Sequence, residues 1–377
     1  MRYLVVGCGL SGGVVARELA ERGHSVTIWE RRDHIGGNMY DYLDPESGYL
    51  VQKYGPHTFH TSDKALYDYM GRFSDWDEYI LRCGAVWDGE YTPTPFNFET
   101  IDRFFSPEEA GEIKAHISAR YPGRETVTVV EALESDDPVI RRYAEYLFEK
   151  DYRPYTSKQW GIPPSEIDPS VLKRVPLRMS YGDRYFDDTY QVMPRKTFKG
   201  FFDRLLDHPN IEVRLGMDAL EHMTVEGDRI VVDSMPDVHV VYTGALDELF
   251  GLVHGRLPYR SLVFEFRRSE DASFQPAPVV AYPSDPEIVR ITEYTKLPVQ
   301  RGEGTVYALE RSMEYEPGKG LEPYYPVLTD QSKELYAKYK GMAESICNLS
   351  FCGRLADFRY YNMDQALRRA LDLAGTL

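Results

Sequence analysis

Residues 3–30 read YLVVGCGLSGGVVARELAERGHSVTIWE, and this stretch decides the fold of the chain. The apolar run Tyr3–Val6 predicts a buried strand, and a glycine-rich turn follows it directly. From Gly12 to Arg22 the apolar residues recur at helical spacing, and Gly23 is typical of a helix C-terminus. Ser25–Trp29 predicts a second strand. The stretch therefore predicts one βαβ unit.

The glycines of the turn have the G-x-G-x-x-G spacing of dinucleotide-binding proteins. Gly7 permits the tight turn, Gly9 lets the backbone approach a pyrophosphate, and Gly12 allows close packing of the helix. Glu30 ends the second strand, where its carboxylate can accept a hydrogen bond from a ribose hydroxyl. The spacing is a weak signal alone but a strong one in this context. It does not by itself separate NAD from FAD.

Composition and charge narrow the functional classes. The chain has 377 residues, of which 42% are apolar, and this indicates a globular protein of more than one domain. A formal net charge of −16 argues against binding to nucleic acid or to an acidic membrane, so a phosphorylated ligand would need a local group of arginines. No apolar run is long enough to span a bilayer and no leader pattern occurs, so we expect a cytoplasmic protein. Neither disulfides nor a metal site is expected, because CxxC spacing is absent among Cys8, Cys83, Cys347 and Cys352.

Two further segments resemble the FAD-binding amine-oxidase-like superfamily. RRDHIGGN (31–38) is similar to the stretch that closes over the flavin phosphates, and GRLAD (353–357) is similar to another flavin contact. A helix N-terminus near Asp364 could face the polar edge of the flavin. This resemblance favours FAD over NAD. Besides Gly7, Gly9, Gly12 and Glu30, it implies cofactor contacts from Arg31, Gly37, Asn38, His57, Gly353, Arg354 and Met363.

Other segments resemble bacterial UDP-galactopyranose mutases, a family of flavin-dependent nucleotide-sugar pyranose/furanose mutases, over nearly the whole chain. They occur in the expected order and are KYGPHTFHT (53–61), YTSKQWG (155–161), KRVPLR (173–178), DRYF (183–186), YRS (259–261), EPYYP (322–326) and RYYNM (359–363). The resemblance implies an isomerase that converts a nucleotide-diphosphate hexopyranose, first of all UDP-galactopyranose, into the hexofuranose.

The resemblance also implies a mechanism and partners. Reduced FAD would be the active form, its N5 would attack the anomeric carbon, and the sugar ring would open and reclose in a flavin N5–sugar adduct. An external reductant, such as NAD(P)H or a flavin reductase, and a homodimer belong to the same expectation. Alternatives are the same ring contraction on a GDP- or dTDP-linked sugar, an amine-oxidase-like FAD oxidoreductase, and a flavin-dependent binding protein without catalysis.

Site residues follow from the matching segments. Arg174 and Arg290 are implied to grip the diphosphate, and arginine suits this role because it donates charge-assisted, often bidentate hydrogen bonds. His60, in a loop that contains Gly and Pro, is implied to lie beside the flavin as a third catalytic residue. Taken alone, the aromatic matches would more simply be core residues. The resemblance assigns them to substrate binding, and they are Tyr155, Trp160, Tyr185, Tyr324, Tyr325 and Tyr360.

Asp151 is a further candidate for substrate binding, since it precedes the base-stacking Tyr155 by four residues. A carboxylate at the edge of the base pocket would accept hydrogen bonds from guanine but would face two carbonyl oxygens of uracil. The other interpretation is an aspartate that ends the preceding helix or lies in solvent. UDP-galactose remains the first expectation for the substrate.

The predicted fold class is α/β, with a Rossmann-type FAD-binding domain, an inserted helical domain and an antiparallel β-sheet domain. We expect helices from Ser106 towards Tyr121, over Val139–Glu149 and from about Asp364 to Ala374, and an extended stretch over Leu172–Tyr190. The domain boundaries are expected at 1–80, 191–245 and 330–377 for the FAD-binding domain, 98–170 for the helical domain, and 81–97, 171–190 and 246–329 for the sheet domain.

Overall fold

The computed structural model describes residues 1–161, 163 and 175–377. A π-helical turn, Phe148–Tyr152, joins two of its α-helices. The α-helices of the described residues are α1 (Leu10–Glu21), α2 (Lys64–Gly71), α3 (Phe98–Phe104), α4 (Pro107–Arg120), α5 (Val129–Leu133), α6 (Pro138–Leu147), α7 (Arg153–Trp160), α8 (Phe198–Leu206), α9 (Leu246–Leu249), α10 (Asp330–Glu344) and α11 (Met363–Thr376).

The strands of the described residues alternate with these helices along the chain. They are β1 (Arg2–Val6), β2 (Ser25–Glu30), β3 (Asp41–Leu43), β4 (Leu50–Gln52), β5 (Phe59–Thr61), β6 (Trp76–Glu78), β7 (Cys83–Trp87), β8 (Glu90–Thr94), β9 (Thr126–Val127), β10 (Leu177–Arg178), β11 (Tyr190–Pro194), β12 (Ile211–Leu215), β13 (Met223–Glu226), β14 (Arg229–Val232), β15 (His239–Tyr242), β16 (Tyr259–Ser269), β17 (Val279–Ala281), β18 (Ile288–Glu293), β19 (Thr305–Glu314), β20 (Tyr325–Pro326) and β21 (Leu349–Phe351).

The chain divides into two compact units. The first unit comprises Met1–Tyr79, Asp188–Ser261 and Tyr315–Leu377, and the second comprises Ile80–Asp187 and Leu262–Glu314. The first unit is therefore assembled from three separate stretches of sequence. The division of the remainder into a helical and a sheet domain stays a prediction. None of the described helices has the length and apolar character that a membrane span needs.

A parallel sheet with the strand order β12-β2-β1-β15-β21 forms the centre of the first unit. The chain builds this sheet outward from β1, first on one side and then on the other, which is the order of Rossmann-type folds. The predicted fold class is confirmed. The strand order reverses beside β1, and ligands of such sheets bind at the carboxyl ends of the strands there.

Helix α1 packs directly against β1 because its first turn contains glycine. A Cβ atom added to Gly12 would lie 2.0 Å from the carbonyl oxygen of Gly7, so no side chain fits there. Val14, Val15 and Leu19 of α1 are fully buried in the core of the first unit. The glycine spacing in the sequence therefore fixes how close the helix lies to the strand.

The second unit contains a sheet with the strand order β16-β19-β18-β17-β7-β8. β7 and β8, β17 and β18, and β18 and β19 pair antiparallel, whereas β7 and β17 pair in parallel. The predicted antiparallel sheet thus includes a parallel pairing, between β7 and β17. Helices α3 to α6 cover one face of it, and their core includes Ala85 and Trp87 of β7.

In the second unit, one predicted helix is present and one predicted extended stretch is mostly loop. The predicted capped helix is α4, whose N-cap Ser106 forms a capping box with Glu109. The predicted extended stretch 172–190 is strand only at Leu177–Arg178 and Tyr190 among its described residues. The remainder is loop because the buried Arg178 side chain binds the carbonyl of Arg184 and the carboxylate of Asp187, which folds the segment back on itself.

Candidate active site

A cleft in the first unit lies at the carboxyl ends of the parallel strands. Its walls include two glycine turns, one at residues 7–12 and one at Gly36 and Gly37, together with the end of β2 and the start of α11. All residues that the sequence assigned to cofactor binding line this cleft: Gly7, Gly9, Gly12, Glu30, Arg31, Gly37, Asn38, His57, Gly353, Arg354 and Met363.

The two glycine turns touch each other through their backbones. A Cβ added to Gly37 would lie 2.8 Å from the Cα of Gly9, and Gly37 has a φ of 55°. The N–H of Gly36 donates to the carbonyl of Cys8 at 2.9 Å and ties the turns together. The result is a narrow backbone cradle that a side chain would fill.

The cradle has the donors that a diphosphate needs. Gly9 caps α1 without a side-chain hydrogen bond, so the N–H groups of the first helical turn are not used by a cap. Backbone N–H groups and the positive end of the helix dipole together favour a phosphate. The cradle therefore fits the pyrophosphate of a dinucleotide cofactor.

Glu30 is fixed at the end of β2 by two backbone donors. Its Oε2 accepts from the N–H of Cys8 at 2.8 Å and its Oε1 from the N–H of Arg32 at 3.0 Å, and the residue is only 6% exposed. A carboxylate has about four acceptor positions, so it can still bind a ribose hydroxyl. This placement matches the role that the sequence indicates.

Glu322 joins two arginines at the wall of the cleft. Its Oε2 lies 2.8 Å from the guanidinium of Arg31 and 2.9 Å from that of Arg32, and Arg32 also donates to Asn38. Burial opposes ionisation of Glu322, but its hydrogen bonds and charge interactions with Arg32 and Arg31 lower its pKa. Arg32 and Glu322 were not predicted as individual site residues, although they lie in the segments 31–38 and 322–326 that resemble known families.

In the first unit, Arg354 contacts three tyrosines that were predicted to bind the substrate. It donates to the carbonyl of Tyr324 at 3.3 Å, and its guanidinium lies 5.3 Å and 5.5 Å from the ring centres of Tyr325 and Tyr360. The rings of Tyr325 and Tyr360 stack with their centres 5.4 Å apart. The three tyrosines therefore form one aromatic group around a cation.

His60 lies in β5, opposite Gln191 of β11. The prediction that it lies in a loop is wrong, because residues 59–61 pair with β11 and Phe59 and Thr61 are buried. Its Nδ1 lies 2.7 Å from the carboxylate of Asp188, which also accepts from Ser62. The carboxylate therefore orients the imidazole.

Arg290 lies on β18 in the second unit, and its Nε donates to Glu310 on β19 at 2.7 Å. Glu310 is 1% exposed; burial raises its pKa, and the charge of Arg290 opposes that shift. Arg290 pairs with Ala281, and Ala281 pairs with Ala85. Paired residues point to the same face of a sheet, so Arg290 lies on the face that the helices cover.

Helix α7 carries Tyr155 and Trp160 and is fastened to this sheet at two points. Ser312 of β19 donates to the carbonyl of Gln159 at 2.6 Å. Lys158 donates to carbonyls of the turn after β17, including those of Tyr282 and Ile288 at 2.7 Å.

Tyr185, another residue predicted to bind the substrate, lies in the loop before β11. Arg174 lies outside the described residues.

Asp151 lies in the π-helical turn that joins α6 to α7. The interpretation that places it in solvent is wrong, because the residue is only 9% exposed. Burial raises the pKa of Asp151 to about 7, against the influence of the nearby Lys158 ammonium. π-Helical turns occur frequently at functional sites.

Comparisons with known proteins agree with this geometry. Residues 150–360 match the family model for UDP-galactopyranose mutase, and residues 5–73 match that for an NAD(P)-binding Rossmann-like domain. A protein of Klebsiella pneumoniae named "Probable UDP-galactopyranose mutase" is 36% identical, with 98% of this chain and 93% of the relative covered. The chain belongs to the UDP-galactopyranose mutase family.

A second relative and a solved structure are also similar to this chain over nearly its whole length. The dTDP-fucopyranose mutase of Escherichia coli is 35% identical, with 99% of this chain and 97% of the relative covered. A crystal structure of reduced UDP-galactopyranose mutase has the same fold, with a TM-score of 0.72 at 17% identity, over 99% of this chain and 94% of that one.

Membership of the UDP-galactopyranose mutase family makes the chain an isomerase, a mutase that acts on the pyranose ring of a nucleotide sugar. Its Rossmann-like domain indicates a dinucleotide cofactor. Within residues 1–161, 163 and 175–377, no cluster of histidine, cysteine, aspartate or glutamate side chains could hold a metal ion.

Proposed function

We propose that the protein converts UDP-galactopyranose and UDP-galactofuranose into each other with reduced FAD as its cofactor. The observation that carries this proposal is the backbone cradle between Gly9 and Gly37, in a chain of the UDP-galactopyranose mutase family. The reaction is redox-neutral, so the cofactor is not consumed. An external reductant, such as NAD(P)H or a flavin reductase, keeps it reduced, and the protein works as a homodimer.

The residues of the cleft hold FAD in this proposal. The N–H groups at the start of α1 bind its diphosphate, and Glu30 accepts from the ribose of its adenosine. The segments at Gly353 and Met363, with His57, contact its flavin end. The chemistry that the cofactor supplies when bound and reduced is nucleophilic attack by N5 on the anomeric carbon of the sugar.

Two arginines stabilise the leaving group. Negative charge develops on the diphosphate of UDP when its bond to the sugar breaks, and Arg290 and Arg174 donate hydrogen bonds to it. The buried carboxylate of Glu310 holds the Arg290 guanidinium by its Nε, so the donor is oriented before the substrate arrives. This preorganisation supports a catalytic role for Arg290.

The aromatic residues hold the remainder of the substrate. Tyr155 stacks on the nucleobase and Trp160 lines the sugar pocket. Hydroxyl groups assist at the diphosphate, and they belong to Tyr185, Tyr324, Tyr325 and Tyr360. His60, oriented by Asp188 through its Nδ1, lies beside the flavin and acts on the sugar from there. The stacking of Tyr325 on Tyr360 around Arg354 supports their joint role.

Turnover in the two redox states tests the proposal. The purified holoenzyme is incubated with UDP-galactofuranose before and after reduction by dithionite, and the UDP-sugars are separated by chromatography. We expect UDP-galactopyranose to form only with the reduced protein, because N5 of the oxidised flavin is electron-poor. Equal turnover in both states would refute the mechanism, and hydrogen peroxide formed in proportion to substrate would indicate an oxidase instead.

A dTDP-linked hexose is the second candidate substrate. The similarity to dTDP-fucopyranose mutase of Escherichia coli, nearly equal in identity and coverage to that of the Klebsiella relative, favours it. The same assay with UDP-, dTDP- and GDP-linked hexoses separates the candidates by their kcat/KM values. A higher value for the dTDP-linked sugar would replace UDP-galactose as the substrate and leave the reaction type unchanged.

A further inference from the structure

Asp151 is only 9% exposed, and among the described residues its carboxyl group interacts with the charge of Lys158 but makes no hydrogen bond. Burial of a polar group that makes no hydrogen bond costs free energy, and buried carboxyl groups are therefore normally paired. The carboxyl group of Asp151 lies on a π-helical turn, an irregular element that is frequent at functional sites. Such a group is suited to bind a ligand that supplies the missing partners.

The neighbouring cation does not meet this need. The ammonium group of Lys158 has three donors, and it contacts four backbone carbonyls, those of Tyr282, Pro283, Asp285 and Ile288. The positive charge of Lys158 still acts on Asp151. Among the described residues the other titratable group that interacts with Asp151 is the phenol of Tyr152, which is ordinarily neutral. Lys158 also interacts with the carboxylate of Asp285. The hydrogen-bonding positions of Asp151 thus remain available within the described part of the chain.

Asp151 also belongs to the part of the second unit that carries the proposed substrate residues. It lies at the junction with α7, four residues before Tyr155. Helix α7 contacts β18 and β19, the strands of Arg290 and Glu310. The neighbouring Tyr152 packs in the core with Ala85, on the face of the sheet that carries Arg290. A nucleotide held by Tyr155 and Arg290 would therefore have Asp151 on its side of the sheet.

We propose that Asp151 in its protonated form hydrogen-bonds the edge of the nucleobase and thereby admits uracil or thymine. This inference rests on the proposed function. The carboxyl O–H donates to a ring carbonyl of the base, and the carboxyl C=O accepts from the adjacent N3–H. Both bases present this donor beside an acceptor, so UDP- and dTDP-linked sugars fit equally.

Ionisation shifts the preference towards guanine. An ionised Asp151 can only accept hydrogen bonds, so it faces the uracil carbonyls unfavourably, whereas guanine offers it two adjacent N–H donors. The group is poised to change form near neutrality, since burial raises the pKa of Asp151 to about 7. If only the protonated form binds UDP, affinity falls about tenfold for each pH unit above that pKa.

The experiment measures the dissociation constants of UDP and GDP for the FAD-loaded protein by calorimetry, between about pH 6 and about pH 8.5. Asp151→Asn is the reference, because its amide donates and accepts like the protonated acid and does not titrate. The diphosphate of UDP titrates in this range, but its contribution is the same for both proteins and cancels. We expect UDP binding by wild type to weaken relative to Asp151→Asn by about tenfold or more, and its GDP binding to strengthen.

Two further variants complete the test. Glu149→Gln removes an exposed carboxylate from the same helical turn and should reproduce the wild-type profile. Asp151→Ala should weaken UDP binding at low pH, provided that it retains FAD and its circular dichroism spectrum. Identical pH profiles of wild type and Asp151→Asn would overturn the proposal.

The mutase assay separates this proposal from the function on which it rests. Turnover of UDP-galactofuranose by wild type, together with UDP binding that is independent of Asp151, would overturn the role of Asp151 and leave the mutase intact. UDP binding that depends on Asp151, without turnover of any nucleotide sugar, would support the role of Asp151 and refute the proposed reaction.

Discussion

At the scale of the residue, Arg290 depends on a buried partner that lies opposite it in the β18–β19 ladder, Glu310. Replacing Arg290 with alanine removes the donor that we propose for the leaving diphosphate, so we expect kcat to fall roughly a hundredfold or more. FAD should remain bound, because the residues that line the cofactor cleft belong to the first unit. Steady-state kinetics and the flavin absorbance of the purified variant measure both effects.

Arg311→Ala is the matched control for this change. Arg311 follows Glu310 on β19 but pairs with exposed carboxylates, Glu265 and Glu287, and exposed pairs contribute little. Its turnover should stay close to that of wild type. Near wild-type turnover in the Arg290 variant would remove Arg290 from the site, and loss of flavin would assign it a folding role instead.

Asp151 also affects stability in a pH-dependent way. Burial raises its pKa from the ordinary 3.8 to about 7, so the folded protein holds this proton more tightly than the unfolded chain does. The contribution of Asp151 to the free energy of unfolding is therefore fully present below about pH 4 and is lost as the pH rises to about 7. Asparagine does not ionise, so the stability gain of Asp151→Asn over wild type should grow across that window and level off above it.

Urea midpoints at a series of pH values measure this gain. Glu149→Gln serves as the control, because its carboxylate is exposed and should alter the pH dependence little. Parallel pH profiles for wild type and Asp151→Asn would mean that Asp151 ionises normally in the folded protein.

At the level of local elements, the contact between the two glycine turns shapes the cradle that we propose for the cofactor. Alanine at Gly37 would place its Cβ 2.8 Å from the Cα of Gly9 and would force the turns apart. We expect Gly37→Ala to bind FAD at least about tenfold more weakly, since the pyrophosphate donors are displaced and a tenfold change corresponds to only about 1.4 kcal/mol. Flavin content after gel filtration and titration of the apoprotein with FAD measure the loss.

Gly48→Ala separates this effect from backbone strain. Gly48 also has a positive φ, 72°, but an added Cβ would meet no atom within 4 Å. Strain without the steric clash should leave FAD binding unchanged. Equal FAD affinity of the two alanine variants would show that the contact between the turns does not determine cofactor binding.

At the scale of the whole molecule, the cofactor cleft draws residues from widely separated parts of the chain. Gly7, Glu30, Thr243 and Gly353 all line it. FAD should therefore slow amide hydrogen exchange in peptides that cover the turns at residues 7–12, 36–39 and 353–357, because a ligand stabilises the state that it binds. The β7–β8 hairpin of the second unit is the internal reference, and mass spectrometry of the apo and FAD-loaded protein reads both.

Uniform slowing of exchange over the whole chain would contradict a cofactor site confined to the first unit. Slowing limited to residues 7–12 would contradict the assignment of the C-terminal segment to the cofactor. In both cases the residues that bind FAD would differ from those that line the cleft.

The residues alone predicted the βαβ unit, the turn at Gly7, Gly9 and Gly12, and the position of Glu30 at the end of the second strand. These features depend on local properties of the chain. Apolar spacing reports the face of a helix or strand that is buried, and the absence of a Cβ at Gly7, Gly12 and Gly37 has the same steric meaning wherever the turn occurs. Resemblance to known families added the second glycine turn, the C-terminal residues of the cleft, and the aromatic and arginine positions, which no spacing rule could have selected.

Only the tertiary structure decided which partners these residues have. Glu322 binds Arg31 across 291 positions of sequence, and Glu310 lies opposite Arg290 because of the register of two strands. His60 lies in a strand and not in a loop because β11, from a distant part of the chain, pairs with it. Asp151 is buried because of the sheet and helices that surround it. These partners come from distant segments of the chain, and local periodicity indicates which face of an element is buried but not which segment covers it.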